Sequence, residues 1–330
     1  MGDDKRRIGR DEMNLAEFPL GLLADRADAT VKTLVFEGEH GRLTITGSDA
    51  YGLPTAPDAD VIVALLHLTK VQSDFTSPTV TFTRYELLRL LGWTGKGRDY
   101  QRLEDSLRRW VGVTLFYDGS WWDNSIKCRV DASFHILDSV TVYDHETRRM
   151  LHARQQPAPL SSFTWGKAFF ASCQADNIKR LDLTTYFGLR SAVSKQLYRF
   201  LDKRFYLRPE WTFDLHELAF ERVGLSRSYT AAKVKEKIRP ALEELTAIGF
   251  LEPMTPAERY ANTRRGRWRI RLVRGSADKA TEAAGPPAIE ADIPAVVSEL
   301  IARGITPATA ATLAGAHPAE KIAGPVCVKI

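Results

Sequence analysis

One local pattern occurs twice in this chain, about 130 residues apart, and constrains the fold more than any other feature. In the first copy, Thr83-Arg84-Tyr85-Glu86 reads as a capping box: Thr83 closes a helix start and Glu86 reaches back to its amide. Phe82 before the cap and Leu87 after it supply a hydrophobic staple, and Gly92 ends the helix. A second helix starts near Gly97 and keeps Tyr100, Leu103, Leu107 and Trp110 on one face. Past Gly112, the β-type run Val113 to Tyr117, an Asp118-Gly119 turn and the run Ile126 to Val130 predict a hairpin. In the second copy, Phe213 and Leu218 flank the cap Asp214-Leu215-His216-Glu217, and that helix ends near Gly224. The next helix starts near Tyr229, with Val234, Ile238, Leu242 and Leu245 on one face. Leu103/Leu107/Trp110 and Ile238/Leu242/Leu245 share the spacing i, i+4, i+7. Gly249-Phe250-Leu251 then begins a strand, and Trp268 to Leu272 returns.

The flanking segments extend the parallel. An amphipathic helix precedes each copy, Asp58–Gln72 in one and Ser194–Tyr206 in the other. The repeat is imperfect: the second copy is longer between its Glu and its final Gly, and Pro240 predicts a kink or a shifted boundary in its second helix. Before the first copy, alternation over residues 32–36 and 42–46 around Gly38 and Gly41 predicts a further hairpin, and Thr79–Phe82 a short strand. The expected organisation is α+β. It comprises a mobile charged arm (1–12), a first domain (13–155), a hinge at 155–159, a second domain (156–275), a linker (276–291) and a short helical tail (292–330).

Helix, turn, helix and hairpin make a winged helix, whose second helix fits the major groove of duplex DNA. On the first copy, the face away from the core carries Arg98, Gln101, Asp105 and Arg108, with Arg102 at the side and Lys96 in the turn before the helix. On the second, Arg227, Ser228 and Tyr229 open the helix, and Lys233, Glu236 and Lys237 lie off its core face. The second wing concentrates Arg264, Arg265, Arg267, Arg269 and Arg271, alternating from Arg267 onward with Trp268, Ile270 and Leu272. Period two sends the apolar residues to the core and the arginines outward. A row of like charges without carboxylates favours a phosphate partner, although a solvated edge that resists aggregation has the same appearance. Charge distribution supports the first reading. Residues 160–274 hold 22 Lys+Arg against 12 Asp+Glu, whereas residues 1–159 hold 20 against 23. The overall excess of +5 is therefore concentrated in the second copy. Trp121-Trp122 reads as packing or a partner surface.

Catalytic readings find little support. No His-x-His pair and no complete phosphate loop occur; Thr94-Gly95-Lys96-Gly97 reads instead as the turn between two helices. Cys128, Cys173 and Cys327 lie too far apart for a zinc or disulfide framework, so reduced thiols in a cytoplasmic protein are expected. Tyr186 and Tyr198 are the candidate nucleophiles of a nicking enzyme, but no metal-ligand spacing accompanies them. No metal, cofactor or membrane span is expected, and the longest apolar run, Val61 to Leu66, is far too short to cross a bilayer.

Leu15-Ala16-Glu17-Phe18-Pro19, the run from Ala192 to Tyr206, Glu217-Leu218-Ala219-Phe220 and Gly249-Phe250-Leu251 together resemble the replication initiator protein A family of bacterial plasmids. The resemblance covers roughly residues 12 to 274. It implies tandem winged helices that bind repeated origin sites (iterons), melt an adjacent AT-rich segment, and recruit the host initiator and replicative helicase. It also implies a monomer–homodimer equilibrium, with the dimer interface in the first domain. A winged-helix transcriptional regulator or autorepressor without origin function is the alternative.

Overall fold

In a computed structural model, residues 7–26, 28, 30–143, 145–155 and 159–275 are described. The first described element is a strand, β1 (Ile8–Glu12), where the charge pattern predicts the end of a mobile arm; residues 1–6 of that arm lie outside the described residues. β1 pairs antiparallel with Ile178–Asp182, and both Asp11 and Glu12 are fully buried. Their partners lie far along the chain, which is why local composition misses the strand. Next come β2 (Thr33–Gly38) and β3 (Gly41–Thr46), the expected hairpin, and α1 (Ala56–Ser73). Asp58 fixes the start of α1 by accepting the Thr55 amide at 2.6 Å and the Thr55 hydroxyl at 2.7 Å. β4 (Thr79–Phe82) leads into α2 (Arg84–Leu90), where Thr83 Oγ1 accepts the Glu86 amide as its cap requires. α3 (Gly97–Val111) follows, with Leu103, Leu107 and Trp110 fully buried. Two bonds to Asp58 lock α3 onto α1: Trp110 Nε1 donates to its carbonyl and Arg109 Nη1 to its carboxylate.

The hairpin after α3 differs from the expected one. β5 (Thr114–Asp123) runs straight through Asp118-Gly119, and β6 (Cys128–His135) returns only after residues 124–127. Asp118-Gly119 falls in a register shift between Tyr117 and Trp121, with Gly119 at φ +64, a bulge rather than a turn. The bulge lets Trp121 pack with Tyr117 and Phe134 in an aromatic cluster. These strands join the N-terminal hairpin in a sheet of order β2-β3-β5-β6.

The first wing lies elsewhere. β7 (Leu137–Thr141), α4 (His145–Ala153), β8 (Ser161–Trp165) and α5 (Lys167–Gln174) come next, and a separate sheet has the order β4-β8-β7. After β9 (Ile178–Asp182), α6 (Leu183–Gly188) and α7 (Ala192–Phe205), the second copy gives β10 (Glu210–Asp214), α8 (Leu215–Glu217) and one wider π-type turn, Leu218–Val223. That turn absorbs the extra length between Glu217 and Gly224. α9 (Ala231–Ala247) runs on across Pro240, whose exposed position lets the ring sit outside the core packing. α10 (Pro256–Arg259), β11 (Tyr260–Arg264) and β12 (Arg267–Val273) complete a sheet of order β10-β12-β11. Phe250 and Leu251 form no strand; Leu251 makes a single bridge to Arg274.

The orders β4-β8-β7 and β10-β12-β11 are the same: the strand before the helix pair bonds to the last strand, which bonds to the one before it. The wing of the first module is therefore β7–β8 with α4 in its connection, and β5–β6 is an insertion. Phe163, Trp165, Phe169, Phe170 and Cys173 belong to the first core, so the core divides well past the expected hinge at 155–159. The second core gathers α6, α7, α9 and Ile270 and Leu272 of β12. The expected linker and tail, 276–330, lie outside the described residues.

A seam of ion pairs joins the modules along α7. Lys195, Arg199 and Lys203 recur every four residues and so share one face. Lys195 meets Asp60 at 2.6 Å, Arg199 grips Asp11 through two bonds at 2.9 and 2.6 Å, and Lys203 meets Glu17 at 2.6 Å. Arg204 and Arg222 also reach Glu17. Burial alone would raise the Glu17 carboxyl, but Lys203, Arg204 and Arg222 outweigh it and hold it at about 2.

Candidate nucleic-acid interface

Each module presents the helix that follows its turn. On α3, Lys96, Arg98, Gln101, Arg102 and Arg108 are all exposed, as the periodicity predicts. Several are occupied locally. Gln101 Nε2 donates to Asp105 at 2.9 Å, Arg102 lies 4.6 Å from the Trp93 ring centre, and Arg108 sits 3.9 Å from Asp105 and 4.0 Å from Glu104. Lys96 and Arg98 have no ion pair among the described residues.

The second module departs from expectation at the entrance to its helix. α9 begins at Ala231, capped by Thr230, so Arg227, Ser228 and Tyr229 lie in the preceding turn and do not open the helix. Tyr229 packs against the second core, and Ser228 bonds to the Ser226 hydroxyl at 2.8 Å. Arg227 Nη2 donates to the Val35 carbonyl at 3.0 Å and to Glu221 at 2.9 Å. On the helix, Lys233 Nζ donates to Glu236 at 2.7 Å, while Lys237 is exposed without an ion pair among the described residues. Lys235 lies 2.9 Å above the Trp268 ring centre and 4.7 Å from that of Tyr260, tying helix to wing; burial lowers its pKa. Arg239 also faces outward, 70% exposed and 3.7 Å from Glu243. Sequence reasoning missed it, although its spacing from Ala232 and Glu236 (i, i+4, i+7) places it opposite the core face.

The wing follows period two: Ile270 and Leu272 are fully buried and Trp268 partly, while Arg264, Arg265, Arg267, Arg269 and Arg271 are exposed. Arg264 faces Arg267 across the Arg265-Gly266 turn. One expectation fails. The row is not free of carboxylates, because Glu210 on β10 holds Arg271 through two bonds at 2.6 and 2.7 Å. That bond pulls the Glu210 carboxyl below its usual range. Arg264, Arg265, Arg267 and Arg269 have no ion pair among the described residues. In the first module, the position of that wing tip is taken by the connection carrying α4, with Arg149 and Arg154 exposed.

The candidate nucleophiles are inaccessible. Tyr186 is buried and donates its hydroxyl to Asp60 at 2.8 Å; burial first, and Asp60 second, raise the phenol well above its usual pKa. Tyr198 is 4% exposed, and burial pushes the Cys173 thiol up. Among the described residues no group of three His, Cys, Asp or Glu is placed to hold a metal, and no helix is long and apolar enough to cross a membrane.

Each module thus exposes the helix after its turn, and the second sets it beside a row of arginines with no ion pair among the described residues. The profile of the Replication initiator protein A family matches residues 10–243. The chain belongs to that family. It is thus a plasmid replication initiator, and a regulator without origin function is not favoured. No curated protein matches the initiator's sequence. The crystal structure of domains 2 and 3 of RctB is similar with a TM-score of 0.51 at 16% identity, over 79% of this chain and 98% of that one. It supports the tandem winged-helix fold of the initiator. The Pi initiator protein in complex with iteron DNA gives a TM-score of 0.46 at 12% identity, over 83% and 100%.

Proposed function

We propose that this initiator binds repeated duplex sites at a plasmid origin, placing α3 and α9 in the major groove and laying the β11–β12 wing along the phosphates. The observation that carries the reading is the set Arg264, Arg265, Arg267 and Arg269, exposed beside α9 with no ion pair among the described residues. Arginines in such a row repel one another unless phosphates neutralise them. Arg98, Gln101, Lys237 and Arg239 are suited to base edges, and Lys96, Arg102, Arg108 and Lys233 to the backbone.

The protein acts without catalysis. Binding energy offsets the bending and unstacking of easily deformed steps, which opens the neighbouring AT-rich tract. The opened strand is where host initiator and helicase would be recruited, in the cytoplasm. A monomer–homodimer equilibrium sets how much protein is free to bind. Footprinting on the plasmid's own intergenic DNA, with permanganate probing of unpaired thymines, tests the proposal. Protected direct repeats beside reactive thymines are the expected result. Protection of a single inverted repeat with no reactive thymines would overturn origin opening in favour of repression, and a covalent protein–DNA adduct would overturn the non-catalytic reading.

A further inference from the structure

β2 is an outer strand of its sheet, and its free edge is occupied by two side chains from the second module. The β2–β3 hairpin closes through Gly38 opposite Gly41, so alternate residues Phe36 and Leu34 exchange bonds with β3 while Val35 and Glu37 point outward. Those outward groups are the ones satisfied. Glu221 Oε2 accepts the Glu37 amide at 2.6 Å, and Arg227 Nη2 donates to the Val35 carbonyl at 3.0 Å. Glu221 and Arg227 also bond to each other at 2.9 Å. An acceptor and a donor two residues apart on the edge do what a neighbouring strand would do, but with side chains.

The backbone behind this pair comes equally close. Gly224 has φ +90, and a Cβ there would lie 3.2 Å from Pro19 Cγ and 3.8 Å from Phe36. Any side chain would be strained and would push the turn off the first module. The Leu218–Val223 turn containing Glu221 and the Ser226–Tyr229 turn containing Arg227 lead straight into α9. At the other end, β5 starts just after α3 and pairs with β3, which pairs with β2. A continuous bonded path therefore runs from α3 through β5, β3 and β2 to the entrance of α9.

We infer that the Glu221–Arg227 pair positions the two reading helices relative to each other and so determines the half-site spacing the initiator accepts. The inference rests on the proposal that both α3 and α9 enter the groove. Arg227 then acts as a positioning residue through β2, not as a base reader. Glu221 is a sensitive probe because simple electrostatics predicts the opposite sign: removing a carboxylate near DNA should strengthen binding.

The test uses the full chain, with E221A and R227A, and three duplexes taken from a footprinted repeat. One carries both half-sites at native spacing, one has two base pairs inserted between them, and one carries only the half-site read by α9. Hydrogen exchange of the Glu37 amide is followed without DNA. E221A, which removes the acceptor as well as the charge, is expected to bind the single half-site within threefold of wild type and to lose tenfold or more on the native composite. Its preference for native over altered spacing should collapse, and its Glu37 amide should exchange at least tenfold faster. R227A should relax the spacing preference and speed the same amide. Unchanged spacing preference in E221A overturns the inference, as does unchanged exchange at Glu37. So does an R227A variant that weakens all three duplexes by one factor and flattens the salt slope, which marks a plain phosphate contact. Wild-type protein that binds no duplex overturns the groove reading and the spacing role with it, whereas exchange still reports whether the docking exists.

Discussion

On α3, three of the five exposed polar candidates lean on their own surroundings: Gln101 and Arg108 on Asp105, and Arg102 on Trp93. On α9 and its wing, five cations, Lys237, Arg264, Arg265, Arg267 and Arg269, have no such partner among the described residues. The wings differ too. The second turns tightly at Arg265-Gly266, whereas the first interrupts β7 and β8 with α4. One topology thus carries two electrostatic roles. A cation already neutralised on its own helix releases few counterions when it meets a phosphate; a bare one releases close to a full ion. In the proposed binding mode, the second module would grip and the first would orient.

The comparison requires the modules to be held together, so the largest predicted effect is on the seam. Arg199 and Asp11 are 1% and 0% exposed, and removing one partner strands a buried charge. Arg199→Ala should cost about 3–5 kcal/mol in denaturant unfolding. If the loss is confined to one module, with two separate transitions, the seam does not couple them.

Glu17 gives a pH version of the same test. Its carboxyl falls from an ordinary 4.5 to about 2, so the folded state binds its proton more weakly than the unfolded state. The stability it supplies is present above pH 4.5 and is lost as pH falls towards 2, amounting to about 3 kcal/mol. Glu12 works the other way. Burial raises it to about 7, so it costs stability progressively from pH 4.5 to 7 and fully above. Unfolding titrations should show the acid limb shrink in Glu17→Gln, with Asp11, whose carboxyl Arg199 and Lys179 also hold down against burial, supplying what is left, while the loss between pH 4.5 and 7 remains.

Much of this was legible in the sequence because its signals are local. Thr83 and Asp214 announced their helices, and Leu103, Leu107, Trp110, Ile238, Leu242 and Leu245 announced two buried faces. The alternation Arg267 to Leu272 announced which side chains point out. What stayed hidden depends on partners distant in sequence. Ile8–Glu12 reads as an arm because the cation that buries Asp11 is Arg199. Asp118-Gly119 has turn chemistry, yet β6 pairs with β5 on both sides of it and makes it a bulge. The β7–β8 wing is hidden in the sequence because α4 separates its strands, and Arg227 reads as opening a helix because nothing local to it shows β2 alongside.

Direct tests of the two electrostatic roles are smaller in effect. Replacing Arg264, Arg265 and Arg267 together by Ala should weaken all sequences alike. It should lower the slope of log affinity against log salt by about 2.7, near 0.9 per lost contact. Lys96→Ala with Arg98→Ala should lower it by at most about 1.8, with a larger share of the loss confined to the cognate repeat. Equal slopes for the two sets, measured by fluorescence anisotropy, would break the division into gripping and orienting modules.

Arg271 sharpens the distinction within a single strand. It stands in the same outward row as Arg267 and Arg269, but Glu210 already holds its guanidinium through Nε and Nη2. A phosphate would have to displace that carboxylate, and the exchange of one anion for another releases little. Arg271→Ala should therefore change affinity by less than threefold and leave the salt slope where it was. Glu210→Gln frees the same guanidinium without altering the row, and should steepen the slope by about 0.9 if Arg271 lies within reach of the backbone. A steeper slope in Glu210→Gln alongside an unchanged one in Arg271→Ala shows that pairing, not position, decides which wing arginines hold DNA. A slope drop of about 0.9 in Arg271→Ala shows instead that DNA outcompetes Glu210, and the row then acts as five equal contacts.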